Sequence, residues 1–144
     1  VKPRTLARLE LMAAAATAKI REEILRHNTV LGQIEYQKRV LADYRGRLQE
    51  SWRHGGVVAA GHAMRAEVFV AASDEAGGKI GVEAARTQVM LDEAMQALAR
   101  NQQKRRGLTE ARRKAQVVEE REIERRLELM TSWRRPKGET EDES

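Results

Sequence analysis

Residues 53–62 read "RHGGVVAAGH". Pro3 and Pro136 are the only prolines, so between them glycine is the one residue type that breaks helices. Three glycines, Gly55, Gly56 and Gly61, fall in this short stretch. Each costs about 1 kcal/mol against alanine inside a helix, and an adjacent pair with a third nearby is a strong break signal. A break here divides the chain into arms of similar length. The expected fold is therefore all-α, a long antiparallel two-helix coiled-coil hairpin. Its first helix covers about 4–53, the turn about 54–61 and the second helix about 62–135, forming one domain over 1–135. Residues near 6–50 then pair with residues near 85–130. The competing turn is Gly77, Gly78 and Gly81 in "SDEAGGKIG", which would make 57–73 a short third helix. In the preferred reading that cluster is a soft, kinked spot in the second helix. A single unbroken rod that dimerises in trans is the remaining alternative.

Composition agrees with a coiled coil. Aromatics are 3% and charged residues 34% of the chain, the balance of a long helix rather than a thick core. Much of the apolar fraction is alanine, which buries little area. Cysteine is absent, which excludes disulfides and thiolate chemistry. No run of about 18 apolar residues is present, as a membrane-spanning helix would need. "LMAAAATA" (11–18) is short and lies within a helical pattern, so it reads as helix rather than as a secretory leader. The expected location is cytoplasmic.

Apolar residues recur at steps of three and four. In the first arm they are Leu6, Leu9, Ala13, Ala16 and Ile20, then Ile24, His27, Leu31, Ile34, Leu41 and Leu48. The shift near Ile20 reads as a stutter in the heptads. In the second arm they are Ile80, Leu91, Ala94, Leu98, Leu108, Ala111, Ala115 and Val118, with a slip to Ile123, Leu127 and Met130. Glu22–Arg26, Glu35–Arg39, Asp43–Arg47, Glu110–Lys114 and Glu122–Arg126 place acid before base at i,i+4, the stabilising order. Pro136 and Gly138 stop the second helix, and the acidic tail 136–144 reads as disordered. The net charge of +5 is unevenly spread: both arms are basic and the middle is mildly acidic.

Nothing in the sequence reads as an enzyme, a cofactor site or a metal site. His27, His54 and His62 have no ligand spacing, and Ser51, Ser73 and Ser132 have no base partner. The glycines form no phosphate loop. The runs "QKRR" (103–106) and "ARRKA" (111–115) are basic, but acids are interleaved with them and no aromatics stand beside them for stacking. No specific nucleic acid is expected. The few aromatics are more informative: Tyr36, Tyr44 and Trp52 on the first helix, Phe69 early in the second, and Trp133 at its end. Trp133 lies past the last seam layer, and tryptophan is enriched among binding hot spots.

The layout resembles the FliJ/YscO family, the central stalk of the flagellar and injectisome type III secretion ATPase complex. The resemblance covers nearly the whole chain. It rests on Leu6, Leu9 and Ala16 at the start, "LADYRGRL" (41–48) late in the first helix, and a glycine-bearing turn. "AEVFVAASDEA" (66–76) follows with Phe69 at the aromatic position, and "VVEEREIERRLELM" (117–130) closes the second helix. "LELM" (127–130) is the nearest match to an acidic element of flagellar members, and Ser73 stands where those members can carry a bulky residue. Both departures lean towards the injectisome branch.

The hairpin is expected to be a monomer, and the resemblance implies a non-catalytic stalk at the cytoplasmic face of a secretion apparatus. Its paired termini, with Leu6, Arg8, Leu9, Leu127, Met130 and Trp133, would enter the pore of a hexameric export ATPase. Its tip, with Phe69, would meet the cytoplasmic domain of the export gate, and export chaperones are further implied partners. A generic structural coiled coil or export chaperone is the alternative, and a basic nucleic-acid-binding protein the third reading.

Overall fold

The computed structural model describes residues 1–54 and 60–133, with the backbone alone for 52–54 and 60–63. Two helices make up the described chain: α1, Pro3–His54, and α2, Ala60–Trp133. No strand occurs among the described residues. Gly55 and Gly56, the side chains of Trp52, His54 and His62, and everything from Arg134 onward lie outside them.

The fold is the expected all-α pair of long helices packed against each other. α1 opens with Pro3 in its first turn, where a missing N–H costs nothing; the Lys2 carbonyl accepts from the amides of Thr5 and Leu6. α2 runs unbroken through Gly77, Gly78 and Gly81, so the second glycine cluster is helix interior. A few glycines cost less than the seam contacts around them return.

Two compact units divide the contacts, residues 18–99 and residues 1–17 with the chain from 100 onward. In the first, Arg45 meets Asp74 at 2.7 Å and Tyr44 stacks on Phe69. Further back along α1, His27 and Val30 share a groove with Glu83, Thr87 and Met90. A step forward in α1 is matched by a step back in α2, so the pairing is antiparallel. In the second unit Glu10 meets Arg112, and Ala13 and Thr17 meet Asn101, again antiparallel.

Burial defines the seam residue by residue. On α1 the buried and half-buried positions include Leu6, Glu10, Ala13, Thr17, Ile20, Ile24, His27, Leu31, Ile34, Leu41, Arg45 and Leu48. Only exposed Lys38 interrupts their alternation of four and three. This corrects the expected stutter near Ile20. The seam passes through the polar residues Glu10 and Thr17, whereas Leu9 is 39% exposed. On α2 the seam runs Ala66, Val70, Ser73, Gly77, Ile80, Ala84, Thr87, Leu91, Ala94, Leu98, Asn101, Arg105, Leu108, Arg112 and Ala115. It too is unbroken, and Ala111 and Val118 fall outside it as exposed residues. Sustained heptads of this kind wind helices into a coiled coil. The seam is thin: Leu6, Ala13, Ile34, Leu91 and Ala94 are its buried apolar residues, joined by Thr17, Ser73 and Thr87.

The arms are not of similar length. α1 has 52 residues and α2 has 74.

Candidate interaction site

From Gln116 to Trp133 every residue of α2 is exposed. This stretch covers roughly 27 Å at 1.5 Å per residue. Its helix is held locally, since it contains no Gly or Pro. Arg126 pairs with Glu122 at 3.0 Å, and the Thr131 hydroxyl donates to the Leu127 carbonyl. Continuing the α2 heptads past Ala115 leads to Glu119, Glu122 and Arg126, which are charged, and then to Leu129 and Trp133, which are apolar and exposed.

Three of the apolar residues there follow another line. Ile123, Leu127 and Met130 keep the four–three spacing but stand one residue later than the seam positions 122, 126 and 129. One residue is a rotation of about 100° around a helix of 3.6 residues per turn. These side chains are all about half exposed, and Trp133 is 87% exposed. Leu127 also lines a shallow groove with Glu124, Glu128, Thr131 and Ser132.

The structure does not bring the expected terminal residues together. Glu10 is level with Arg112. Leu6 lies one turn beyond that level, which leaves roughly 16 Å along the axis to Leu127 and roughly 25 Å to Trp133. Leu6 is buried in the seam, while Arg8 and Leu9 are exposed. The expected apolar end made by paired termini is therefore replaced by one exposed helix. The physical reason is that Glu10 is already level with Arg112, so among the described residues no side chain of α1 faces the apolar residues from Ile123 onward.

Phe69 is half-buried. Its ring lies against Tyr44, centroids 5.0 Å apart and planes at 51°, a tilted geometry that suits the ring quadrupoles. It forms part of the helix–helix packing in its unit. His27 is half-buried on the seam.

The basic runs are partly structural. Arg105 and Arg112 occupy seam positions, and Arg112 pairs with Glu10 at 3.0 Å. Lys114 pairs with Glu110 on its own helix. Arg106, Arg113 and Lys114 face a shallow surface with Gln102, Thr109 and Glu110. Of the five expected i,i+4 pairs, Glu110–Lys114 and Glu122–Arg126 form, joined by Glu75–Lys79.

Sequence reasoning missed the polar layer around Asn101. Its amide donates to the Ala13 carbonyl at 2.9 Å and to the Thr17 hydroxyl at 2.6 Å; that hydroxyl donates in turn to the Ala13 carbonyl. Stepping back from Ile20 by three and four would have found Thr17 and Glu10. Among the described residues no group of three or more acidic or histidine side chains is arranged to hold a metal, and no helix is long and apolar enough to cross a membrane. No family model matches the chain, and neither a curated protein nor a solved structure matches it.

Proposed function

We propose that this chain is a non-catalytic stalk or adaptor of a type III protein secretion system, acting as a monomer at the cytoplasmic face of the apparatus. In this reading the end of α2 engages a hexameric export ATPase, and the end of the pair near Phe69 serves the export gate or export chaperones. The observation that carries the reading is the exposed helix 116–133, with Ile123, Leu127, Met130 and Trp133 unpartnered. A single helix about 10–12 Å across is narrow enough to enter a ring of loops. It offers apolar anchors among Arg121, Arg125 and Arg126, the mix of apolar centre and charged rim seen at interfaces. The sequence layout that resembles stalk proteins supports the same assignment.

The test is stimulation of ATP hydrolysis by the hexameric export ATPase of the same cell. Trp133→Ala, and Leu127→Ala combined with Met130→Ala, should each weaken that stimulation. Truncating a hot-spot anchor costs about 2 kcal/mol, roughly a thirtyfold loss of affinity. Circular dichroism should be unchanged, because these side chains pack against no other helix. Stimulation equal to wild type in both variants would reject the reading.

A further inference from the structure

The two edges of the seam within residues 18–99 differ in chemistry. In an antiparallel pair, the residues just before each first seam position of a heptad line one edge. On α1 these include Val30, Gln37 and Tyr44, and on α2 Phe69, Ala76, Glu83 and Met90. The Tyr44–Phe69 stack joins two of them across the seam. Two grooves open on this edge. One is walled by Tyr36, Val40, Tyr44, Ala76 and Ile80, with Gln37 as the polar residue in its wall. The other runs between His27 and Val30 of α1 and Val82, Glu83 and Met90 of α2. Tyr36, Val40, Tyr44, Val82 and Met90 are all exposed.

The flanks of this edge are basic. The next heptad positions outward carry Lys19, Arg26 and Arg47 on α1 and Arg65, Lys79 and Arg86 on α2. Acids on the same edge are fewer: Glu23, Glu83 and Glu93. Lys79 touches Glu75 at 3.5 Å, with both side chains more than 70% exposed, a bridge too solvated to hold the lysine. The opposite edge has the reverse balance, with Glu35, Glu67, Asp74 and Asp92 against Arg21 and Arg39.

We propose that the apolar, basic-rimmed edge binds an acidic amphipathic helix of a partner protein, completing a local three-helix bundle. Its apolar stripe would lie on Val40, Tyr44 and Met90, with carboxylates over Lys79, Arg86 and Arg26. A helix fits because the groove residues recur at heptad spacing on both walls, so a third heptad stripe stays in register along it. An acidic helix fits because the rim charge is complementary to it, which favours the right partner and speeds encounter. A lipid surface fits less well, since the apolar side chains wall a groove rather than crown a ridge. This proposal stands on unit 18–99 alone and is independent of the role of 116–133.

The probes are two synthetic three-heptad peptides with one leucine stripe, flanked in one by glutamate and in the other by lysine. Binding to the full chain is followed by fluorescence anisotropy. The glutamate peptide should bind at least about tenfold more tightly, with an affinity that falls as salt rises. Lys79→Glu with Arg86→Glu should erase that preference, and Val40→Asp should abolish binding. Val40 is exposed, so helicity should survive; if it does not, the charge-reversal variant still decides. Equal affinity for both peptides, or none for either, overturns the proposal. So does binding to phosphatidylserine vesicles that Val40→Asp removes, which would assign the edge to a membrane. A dimer in sedimentation that Val40→Asp dissolves would assign it to a second copy, and overturns it too.

Discussion

Residues 18–99 and residues 1–17 with 100–115 use the same heptad spacing but fill it differently. The first seam is mostly aliphatic and small, Ile34, Leu41, Leu91 and Ala94 beside Ser73, Gly77 and Thr87, with His27 and the Arg45–Asp74 pair as its polar points. The second puts Glu10, Thr17, Asn101, Arg105 and Arg112 on the same kind of positions, with Leu6, Ala13 and Leu108 between them. Apolar burial is non-directional and tolerates sliding, whereas polar pairs satisfy each other in one arrangement. The aliphatic seam therefore supplies adhesion and the polar one supplies register, the best attested use of polar groups in coiled coils. Each unit leaves one buried polar atom without a partner, a Glu10 carboxylate oxygen in the polar seam and the Ser73 hydroxyl in the other; a carboxylate costs more to bury than a hydroxyl, so the polar unit should open more readily than the aliphatic one.

The largest expected effect is in the aliphatic seam. Ile34 is 3% exposed. Ile34→Asp removes a buried aliphatic side chain and sets a charge in its place, costing about 3 kcal/mol or more. Ile123→Asp is the counterpart on the unpartnered end of α2, and should change stability by less than about 0.5 kcal/mol. Thermal unfolding followed by circular dichroism compares the two. Equal losses would mean that Ile123 is packed, and the contrast between seam and free helix would fail.

A smaller effect is expected in the polar seam. The Glu10 side chain is only 17% exposed, while Arg112 is 38% exposed. Arg112→Met leaves a half-dry carboxylate unpaired. A fully buried pair would lose 3–5 kcal/mol on such a change; solvent at Arg112 reduces this to about 1–2 kcal/mol. Hydrogen exchange should speed up in residues 3–17 and stay unchanged in 18–99. The double variant Glu10→Leu with Arg112→Leu should recover the loss, because a well-packed apolar pair replaces a desolvated ionic one. A double variant as weak as the single one would show that these positions need charge for adhesion as well as register.

The same contrast explains what could be read from the sequence. Helices, antiparallel pairing and the aliphatic seam were legible because Ile20, Ile24, Leu31, Ile34 and Leu41 announce their period by hydrophobicity alone. The polar seam was not. Leu9 and Ala16 look more like seam residues than their neighbours Glu10 and Thr17, and choosing them created a stutter that the structure lacks. Glu10 and Thr17 are acceptable on the seam only because Arg112 and Asn101 face them, and that pairing is a tertiary fact. At the end of α2 the error ran the other way. Ile123, Leu127 and Met130 have a helical stripe, but a stripe does not say whether anything covers it. Their one-residue offset from Ala115 was visible; its meaning depended on α1 supplying no residue opposite them. Phe69 and Trp133 were both noticed as aromatics, yet their environments differ, because one meets Tyr44 and the other meets solvent.

The smallest effect expected concerns how closely the aliphatic seam packs. Gly77 sits on the seam and Gly78 beside it, both inside α2. A methyl group at Gly78 would meet nothing within 4 Å, and one at Gly77 would meet the Leu41 Cδ2 at 3.9 Å, an ordinary van der Waals contact. Neither glycine is thus required by space. Gly78→Ala should stabilise the chain by about 0.5–1 kcal/mol through the smaller entropy of its unfolded state and a better helix propensity. Gly77→Ala should gain at least as much, since its methyl group also adds contact with Leu41. Denaturant unfolding midpoints of the two variants, compared at equal slope, measure the difference. A gain at Gly78 with a loss at Gly77 would mean that the helices need a bare backbone at this layer. Adhesion between residues 18–99 would then depend on close approach as well as on aliphatic burial, and this seam, like the polar one, would carry its own constraint on register.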